Sequence, residues 1–277
     1  MDARRTALIT GASSGIGAAF ARRLAAGGYD VVLVARRAER LAALAGELHE
    51  RHAIQAQVLA ADLAAAAGVA QAEAAIAGME TLDLLVNAAG FGTSGRFARA
   101  DLARQLEMIQ LHVVAAVRLC RAALPGMVAR GRGAIINVAS VIAFVPTPGN
   151  VTYAGTKGFL VAFSETLQAE LAGSGVRIQA LCPGFTYSEF HDTAEYQRFN
   201  RKRIPGALWM TADDVAAGSL RALGRGGVTY VPGLANRVHL HHRQAAGSRG
   251  GQGRRRRCAA RDSRRRWRDR QGLSRAG

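Results

Sequence analysis

Residues 7–17, Ala-Leu-Ile-Thr-Gly-Ala-Ser-Ser-Gly-Ile-Gly, join a short apolar strand to a helix through a turn rich in glycine. The helix is predicted to run to Ala26, where Gly27 and Gly28 end it. The amide groups at a helix N-terminus can hold a pyrophosphate where no side chain blocks its approach. The stretch therefore predicts a dinucleotide-binding α/β fold, and the alternative is a tight strand-to-helix turn without a ligand.

Strands and helices alternate along the rest of the chain. Further apolar runs predict strands at 31–34, 55–59, 82–86, 134–138, 176–181 and 228–231, and helical patterns fill 38–51, 64–77, 101–128, 151–172 and 212–223. Continuously apolar strands are typical of parallel strands that are covered on both faces. The alternation predicts a Rossmann-like, doubly wound parallel sheet of about seven strands in three α/β/α layers, with ligands at the carboxyl ends of the strands.

Composition and cysteine spacing indicate a soluble globular protein. The 277 residues are 49% hydrophobic and 21% charged, which suits one domain with a sizeable core. We see no secretory leader and no apolar run of membrane-spanning length, so no membrane span is expected. Cys120, Cys182 and Cys258 have neither metal-site nor disulfide spacing, which predicts a reducing, cytoplasmic location and no metal.

Basic charge is concentrated towards the C-terminus. The net charge is +17, and residues 237–277 hold 14 arginines against Asp262 and Asp269. With little apolar periodicity, they are predicted to form a disordered tail after a single domain of residues 1–236. Two accounts stay open: a basic arm that binds nucleic acid through phosphates, or a shifted reading frame in a GC-rich gene. We favour the second, so nucleic acid is not the expected partner.

The residues after the second strand determine whether a dinucleotide fold prefers NAD or NADP. An acidic residue there would bind the ribose 2′-hydroxyl of NAD, whereas arginine accommodates the 2′-phosphate of NADP. Ala35 cannot accept that hydrogen bond, and Arg36 and Arg37 offer positive charge. NADP (NADPH) is therefore the preferred cofactor, although the two arginines could simply open the helix that follows.

Two further strands end in residues suited to a cofactor. Asp62 and Leu63 follow the third strand, where an aspartate could cap the next helix, bond an adenine amine, or do both. The fourth strand closes in Asn87-Ala88-Ala89-Gly90, whose small residues allow the backbone to approach a cofactor closely.

Ser140, Tyr153 and Lys157 are the candidate catalytic residues. The tyrosine and lysine lie four residues apart on one face of a predicted helix, and the serine comes just past the preceding strand. A phenol with a pKa of about 10 needs a nearby cation to transfer protons at neutral pH, and the lysine is such a cation. The serine hydroxyl could hydrogen-bond a substrate oxygen. The trio predicts proton transfer to or from a carbonyl or alcohol, whereas the Tyr–Lys pair alone could be an exposed helical pair.

Five motifs in order resemble those of the short-chain dehydrogenase/reductase family over about residues 5–235. They are T-G-x-x-x-G-x-G at Thr10–Gly17, N-A-A-G at Asn87–Gly90, Ser140, Y-x-x-x-K at Tyr153–Lys157 and P-G at Pro183–Gly184. The resemblance implies an NAD(P)-dependent enzyme acting on CH–OH groups. It also implies a homodimer or homotetramer that assembles through the helix at 101–128 and the helix that carries Tyr153.

The resemblance also implies roles for single residues. Tyr153 would be the general acid in ketone reduction and the base in alcohol oxidation, Lys157 would lower its pKa and bond the nicotinamide ribose, and Ser140 would orient the substrate oxygen. The implied cofactor-binding residues are Gly11, Ser13, Ser14, Gly15, Ile16, Gly17, Arg36, Arg37, Asp62, Leu63, Asn87, Tyr153, Lys157, Pro183, Gly184, Thr186 and Ser188.

His112 departs from the family pattern. The long helix commonly carries an asparagine that helps hold a water of the proton relay, where this chain reads Leu111-His112-Val113. A neutral imidazole can donate and accept, so His112 could substitute and make the relay more sensitive to pH. Alternatively, it packs within the helix and bonds a backbone carbonyl. We expect a structural or relay role rather than direct acid–base catalysis.

Residues 185–210 break the alternation and are predicted to form a substrate lid. They carry six aromatic residues and the basic run Arg201-Lys202-Arg203, which could meet an acidic carrier or simply be solvated. With the apolar residues 141–145, the aromatics favour an apolar small-molecule substrate, such as a 3-oxoacyl thioester or a steroid-like ketone. The alternative function is a weakly catalytic NADP-binding or nucleic-acid-binding protein that uses its basic tail.

Overall fold

A computed structural model describes residues 4–197 and 199–242 of the chain. The strands are β1 Thr6–Thr10, β2 Asp30–Ala35, β3 Ala56–Ala60, β4 Leu82–Asn87, β5 Gly133–Val138, β6 Val176–Leu181, β7 Phe185–Tyr187, β8 Trp209–Thr211 and β9 Thr229–Tyr230. Seven of them form one parallel sheet in the order β3-β2-β1-β4-β5-β6-β9, so the doubly wound fold is confirmed. The strand order reverses between β1 and β4, which places a crevice at their carboxyl ends.

Helices cover both faces of the sheet. They are α1 Gly15–Ala26, α2 Ala38–His52, α3 Ala66–Ala77, α4 Leu102–Ile109, α5 Ala115–Ala129, α6 Val151–Glu170 and α7 Ala212–Leu223. The side chains of β1 alternate, with Ile9 in the core beneath α1, α2 and α7 and Leu8 in the core beneath α3 and α5. Both faces of the strand are therefore buried, which is why its sequence is apolar at every position.

The helix predicted over residues 101–128 contains one wider turn. Asp101 caps α4 as predicted, by accepting a hydrogen bond from the Ala103 amide at 3.0 Å. Residues Gln110–Val114 then form a π-helical turn before α5. Pro125 lies inside α5 and does not end it, because the buried Ala123 and Met127 on either side hold the helix on the core. The π-helical turn contains His112, and such turns often mark functional sites.

Leu102–Ala129 as a whole is long and apolar enough to cross a membrane. The sequence-based expectation that no stretch reaches this length was therefore wrong. In the fold, α5 packs against α3 and β4, and its Leu119, Cys120 and Met127 side chains are fully buried there. Core helices of globular proteins commonly have this length and composition, so the helix is a structural part of the three-layer fold.

The segment predicted as a lid contains regular structure of its own. Strands β7 and β8 pair in parallel as a separate two-stranded sheet, with short 3₁₀ turns between them. His191 packs against Phe199 and Trp209, with ring centroids 4.5 and 5.6 Å away. Arg201, from the predicted basic run, donates to the Asp192 carboxylate at 2.6 Å. These contacts hold residues 185–211 together as one unit, called the lid below.

The predicted domain boundary falls near the end of the described residues. Residues up to Asn236 belong to one structural unit of the chain. The first residues of the predicted tail, 237–242, are helical. The rest of that tail, residues 243–277 with Cys258, lies outside the described residues.

Candidate active site

Glycines leave the backbone uncovered in the turn between β1 and α1. Gly11 and Gly15 have φ angles of +67° and +55°, which L side chains rarely adopt. A Cβ on Gly17 would lie 2.4 Å from the Gly11 carbonyl oxygen, so no side chain fits between the turn and the helix. Ile16 turns away and packs on the core. The turn therefore fits a pyrophosphate at the N-terminus of α1.

Thr10 joins this glycine turn to the loop after β4. Its hydroxyl accepts hydrogen bonds from the amides of Ala88 and Ala89, both at 3.0 Å, and donates to the Val86 carbonyl at 3.4 Å. A Cβ on Gly11 would also lie 2.9 Å from the Ala88 carbonyl oxygen. Thr10 is the first residue of the T-G-x-x-x-G-x-G motif, where no sequence signal indicated its role, and its hydroxyl fixes the distance between the two predicted cofactor loops.

Asn87 presents a buried polar atom at the end of β4. Its amide group donates to the Asn137 side-chain oxygen at 2.9 Å, and Asn137 donates to Ser164 at 3.0 Å. The Asn87 side-chain oxygen is buried and accepts no hydrogen bond from the part of the chain that the structure describes. Buried acceptors are nearly always bonded, so a ribose hydroxyl of a dinucleotide fits this position.

Arg37 reaches from the end of β2 to the glycine turn. Its guanidinium donates to Ser13 at 2.9 and 3.1 Å and to Ser14 at 2.8 Å. Arg36 is exposed beside it. Of the two arginines, Arg37 is therefore the one whose charge lies directly beside the cofactor turn, where a 2′-phosphate would need it.

Asp62 lies in the turn that follows β3 and accepts a hydrogen bond within it. Its carboxylate accepts from the Ala64 amide at 3.0 Å, while the N-cap of α3 is Ala65, which makes no side-chain cap. The aspartate therefore caps the turn that precedes α3, whereas the sequence predicted that it could cap the helix itself. Leu63 is buried in the core beside it.

Residues 183–188 lie beside Ser140 at the end of β6. The Pro183 carbonyl accepts from the Val141 amide at 3.0 Å. A Cβ on Gly184 would lie 2.4 Å from the Asn236 side-chain oxygen, so a larger residue there would require the Asn236 side chain to move. Thr186 is buried and donates to the Gly184 carbonyl at 3.2 Å, and Ser188 caps the next turn by accepting from the Phe190 amide at 3.4 Å.

β5 and α6 bring Ser140, Tyr153 and Lys157 together. The Lys157 ammonium donates to the Val138 carbonyl at 2.7 Å and lies 5.6 Å from the centre of the Tyr153 ring. The Ser140 hydroxyl accepts from the Ile142 amide at 3.3 Å and is close enough to Tyr153 to lower the pKa of its phenol. The three candidate catalytic side chains therefore share one site at the carboxyl end of β5.

Burial controls the protonation of this site. It raises the pKa of Tyr153 above the usual 10.0, and Tyr196 acts in the same direction. It lowers the pKa of Lys157 from 10.5 to about 8. The resemblance implied a lowered tyrosine pKa, but in the protein by itself burial outweighs the lowering contribution of Ser140. The phenol is therefore protonated at neutral pH.

His112 bridges the loop after β4 and helix α6. Its Nε2 accepts from the Phe91 amide at 3.1 Å, which leaves the proton on Nδ1 to be donated to the Thr156 hydroxyl at 3.0 Å. Thr156 in turn donates to the Tyr153 carbonyl at 2.9 Å. The predicted bond to a backbone carbonyl is thus replaced by a bond from a backbone amide. Both ring nitrogens are engaged, which favours the structural alternative for His112.

A change of pH provides a test of this assignment. Burial, and then the charge of Lys157, hold the pKa of His112 well below its usual 6.5. The unfolded imidazole binds a proton below about pH 6.5 and the folded one does not, so stability is complete above that pH and falls below it. We expect the free energy of unfolding to drop roughly 1 kcal/mol more between pH 7.5 and 5.5 in the wild type than in His112→Asn.

Urea unfolding at the two pH values measures this difference. His52→Asn, at an exposed position on α2, is the control and should retain the wild-type pH dependence. An His112→Asn protein with the same pH dependence as the wild type would contradict a buried neutral imidazole.

The lid covers Tyr153 with aromatic rings. Phe190 lies 5.7 Å from Tyr153 and 5.5 Å from Tyr196, measured between ring centres. Arg104 on α4 donates to Glu195 at 2.8 Å and so fixes this end of the lid. The aromatic composition of residues 185–210 indicated a lid, but nothing in the sequence singled out Phe190 or Glu195.

The fold and the site together define a class of protein. Three features are those of a Rossmann-type enzyme that binds a nicotinamide dinucleotide. They are a glycine turn without side chains at the start of α1, a buried acceptor at the end of β4, and a Tyr–Lys pair at the carboxyl end of β5. The chain belongs to the short chain dehydrogenase family, whose model matches residues 5–198. It is an NAD(P)-dependent oxidoreductase that acts on CH–OH groups.

Three similar proteins illustrate this family. A probable NADP-dependent dehydrogenase of Haemophilus influenzae is 37% identical over 198 residues, 69% of this chain and 77% of the relative. A short-chain dehydrogenase of Sphingobium yanoikuyae, solved in complex with NADPH, has a TM-score of 0.78 and 35% identity, covering 90% of this chain and 94% of that one. The bulky-bulky ketone specific alcohol dehydrogenase of Comamonas testosteroni has a TM-score of 0.75 and 30% identity, covering 90% and 92%.

Proposed function

We propose that the protein is an NADP-dependent reductase of apolar ketones, or a dehydrogenase of the matching secondary alcohols. The observation that carries this proposal is the meeting of Ser140, Tyr153 and Lys157 beneath the aromatic lid. Support for NADP comes from Arg37 at the glycine turn and from the NADPH bound by the Sphingobium yanoikuyae enzyme.

Each catalytic side chain has a separate task in this proposal. Hydride transfer is the chemistry that a nicotinamide supplies when bound. Tyr153 is protonated at neutral pH, so its phenol can donate a proton to the substrate oxygen during reduction. The Ser140 hydroxyl donates a hydrogen bond to the same oxygen as negative charge develops. Lys157, held by the Val138 carbonyl, stabilises the phenolate that remains.

The walls of the site favour an apolar substrate. Phe190 packs over Tyr153, and Phe144, four residues after Ser140, packs against the core cluster that contains Leu160 and Val161 of α6. A bulky ketone would bury its hydrocarbon against these rings. The two classes of ketone that we propose are a 3-oxoacyl thioester and a steroid-like ketone. Arg201 is engaged within the lid, which leaves the exposed Lys202 and Arg203 as the residues that could meet an acidic carrier.

Absorbance at the NADPH band tests the function directly. The purified protein is mixed with NADPH and a panel that runs from small polar to bulky apolar ketones. We expect oxidation of NADPH with the bulky members and little with the small ones. A protein that binds NADPH but consumes it with none of the panel would exclude the proposed function.

Cofactor choice is tested by removing the Arg37 guanidinium. Arg37→Ala should weaken NADPH binding about 10- to 100-fold, the usual effect of losing a charge-assisted hydrogen bond, and leave NADH binding within about twofold. Arg22→Ala is the matched control, because Arg22 pairs with Glu47 on the outer surface of α1 and α2. Fluorescence titration gives both affinities, and an equal loss for the two cofactors would contradict the assigned role.

We further propose a homodimer or homotetramer that assembles through α4 and α6. Leu102, Leu106 and Ile109 form one exposed apolar row on α4, and Phe159 is exposed on α6. Exposed apolar rows of this kind commonly mark protein interfaces. Sedimentation velocity should show an oligomer that Leu106→Glu dissociates, and a monomeric wild type would reject the interface.

Two further points complete the proposal. A cytoplasmic location rests on the reduced cysteines Cys120 and Cys182, and cell fractionation tests it. The nucleic-acid-binding alternative rested on His112 and the basic tail. His112 is neutral and bonded within the fold, and most of the tail lies outside the described residues, so the structure adds no support to that alternative.

A further inference from the structure

Glu189 connects the lid to the arginines beside the glycine turn. It begins the 3₁₀ turn Glu189–His191, and its two carboxylate oxygens accept from Arg37 at 2.8 Å and from Arg40 at 2.5 Å. The same Arg37 holds Ser13 and Ser14 with its other nitrogens. A single carboxylate therefore ties the start of the lid to the residues that select the cofactor.

The bridge lies where the lid is closest to the cofactor turn. A Cβ on Gly15 would lie 3.2 Å from the Ser188 side chain, so the residue before Glu189 nearly touches the turn. Arg37 and Arg40 lower the pKa of Glu189, which keeps its carboxylate charged at neutral pH. The side chains of Arg37, Arg40 and Glu189 are 42%, 51% and 50% exposed, so an anion from solution can reach the same guanidinium groups.

We infer that Glu189 occupies the guanidinium donors that a 2′-phosphate would take, so that NADP displaces it and frees the lid, whereas NAD leaves the lid attached. Guanidinium groups bind carboxylate and phosphate through the same planar set of donors. Two anions on one arginine repel each other, so Glu189 and a 2′-phosphate compete. The inference rests on the proposed preference for NADP.

Release of Glu189 has a consequence for the catalytic tyrosine. Phe190 follows Glu189 directly in the chain, and its ring covers Tyr153. The far end of the lid stays attached through Glu195 and Arg104. Displacement of Glu189 alone therefore lets the first turn of the lid move away from Tyr153. Glu189 is thus a specificity-determining residue that couples the identity of the cofactor to the access of substrate.

Calorimetric titration of the full chain tests the competition without turnover. The probes are adenosine 2′,5′-bisphosphate, which carries the 2′-phosphate, and adenosine 5′-monophosphate, which lacks it. Glu189→Gln should tighten binding of the bisphosphate roughly three- to tenfold, as expected for the loss of two exposed ion pairs that compete with it, and leave the monophosphate unchanged. Glu195→Gln, which loosens the other end of the lid, should change neither affinity.

Trypsin provides an independent readout of the lid. Arg201, next to Lys202, donates to the Ser188 carbonyl and to the Asp192 carboxylate, so movement of the first turn loosens the segment that carries Lys202. Cleavage after the exposed Lys202, followed by mass spectrometry, should be accelerated by the bisphosphate in the wild type and be fast without any ligand in Glu189→Gln. Three results would overturn the inference. The bisphosphate could bind wild type and Glu189→Gln equally, bind the variant more weakly, or bind neither protein. A failure to oxidise NADPH with any ketone would instead contradict the proposed function. The affinities for the bisphosphate and the monophosphate would still test the role of Glu189.

Discussion

Tyr153→Phe is expected to lower kcat for ketone reduction about 10²- to 10⁴-fold, the usual contribution of a positioned general acid. The substitution removes the phenol hydroxyl that we propose protonates the substrate oxygen, while the ring and its packing against Phe190 and His112 remain. NADPH affinity and the melting temperature should therefore change little, which separates a lost proton donor from a damaged fold.

Tyr187→Phe is the matched control for this variant. Tyr187 is exposed, stacks on Trp209 in the lid and lies outside the Ser140–Lys157 site. It should keep wild-type kcat within about twofold, since only a surface hydroxyl is removed. Steady-state rates for both variants with the best ketone of the panel make the comparison, and a Tyr153→Phe enzyme as active as the control would remove the proposed mechanism.

Gly17→Ala should cost about 3 kcal/mol or more of folding free energy and abolish measurable dinucleotide binding. The added Cβ would meet the Gly11 carbonyl carbon and oxygen at 2.6 and 2.4 Å, and these are backbone atoms that no rotamer change can move aside. The turn and α1 must separate to admit the methyl group, and the amides at the N-terminus of α1 then lose their common direction.

Gly46→Ala provides the opposite expectation on a neighbouring helix. Nothing lies within 4 Å of a Cβ at this position in α2, and alanine is the better helix former by roughly 0.5–1 kcal/mol, so this variant should be slightly stabilised. Thermal unfolding and NADPH titration of both variants give the result. A Gly17→Ala protein that binds NADPH as tightly as Gly46→Ala would show that the turn tolerates a side chain.

The parallel sheet was predictable because its inner strands β2, β1, β4, β5 and β6 are buried on both faces. Leu8 and Ile9 face opposite cores, so an apolar residue at every position indicates that helices cover both faces of the strand. Spacing then located the candidate catalytic trio, since Tyr153 and Lys157 share a helix face and Ser140 follows the end of β5 by two residues. These features depend on neighbours in the chain, which are visible in a sequence.

Other features depend on partners that are distant in the chain. The hydrogen-bonding state of His112 is set by the Phe91 amide and by Thr156, 44 residues away. Glu189 pairs with Arg37 across 152 residues, and no periodicity links the two. The parallel pairing of β7 with β8 is likewise a contact between three-residue strands. Such short strands carry too few alternating positions to be recognised.

The candidate catalytic residues and the rings above them are built on different pieces of backbone. Ser140 and Lys157 are fixed by the central sheet and α6, whereas Phe190 and Tyr196 belong to the 3₁₀ turns between β7 and β8. Evolution can therefore vary the upper piece and retain the chemistry below it. A chimaera that receives this piece from a relative should inherit the relative's substrate range, which makes residues 185–211 the natural unit for redesign.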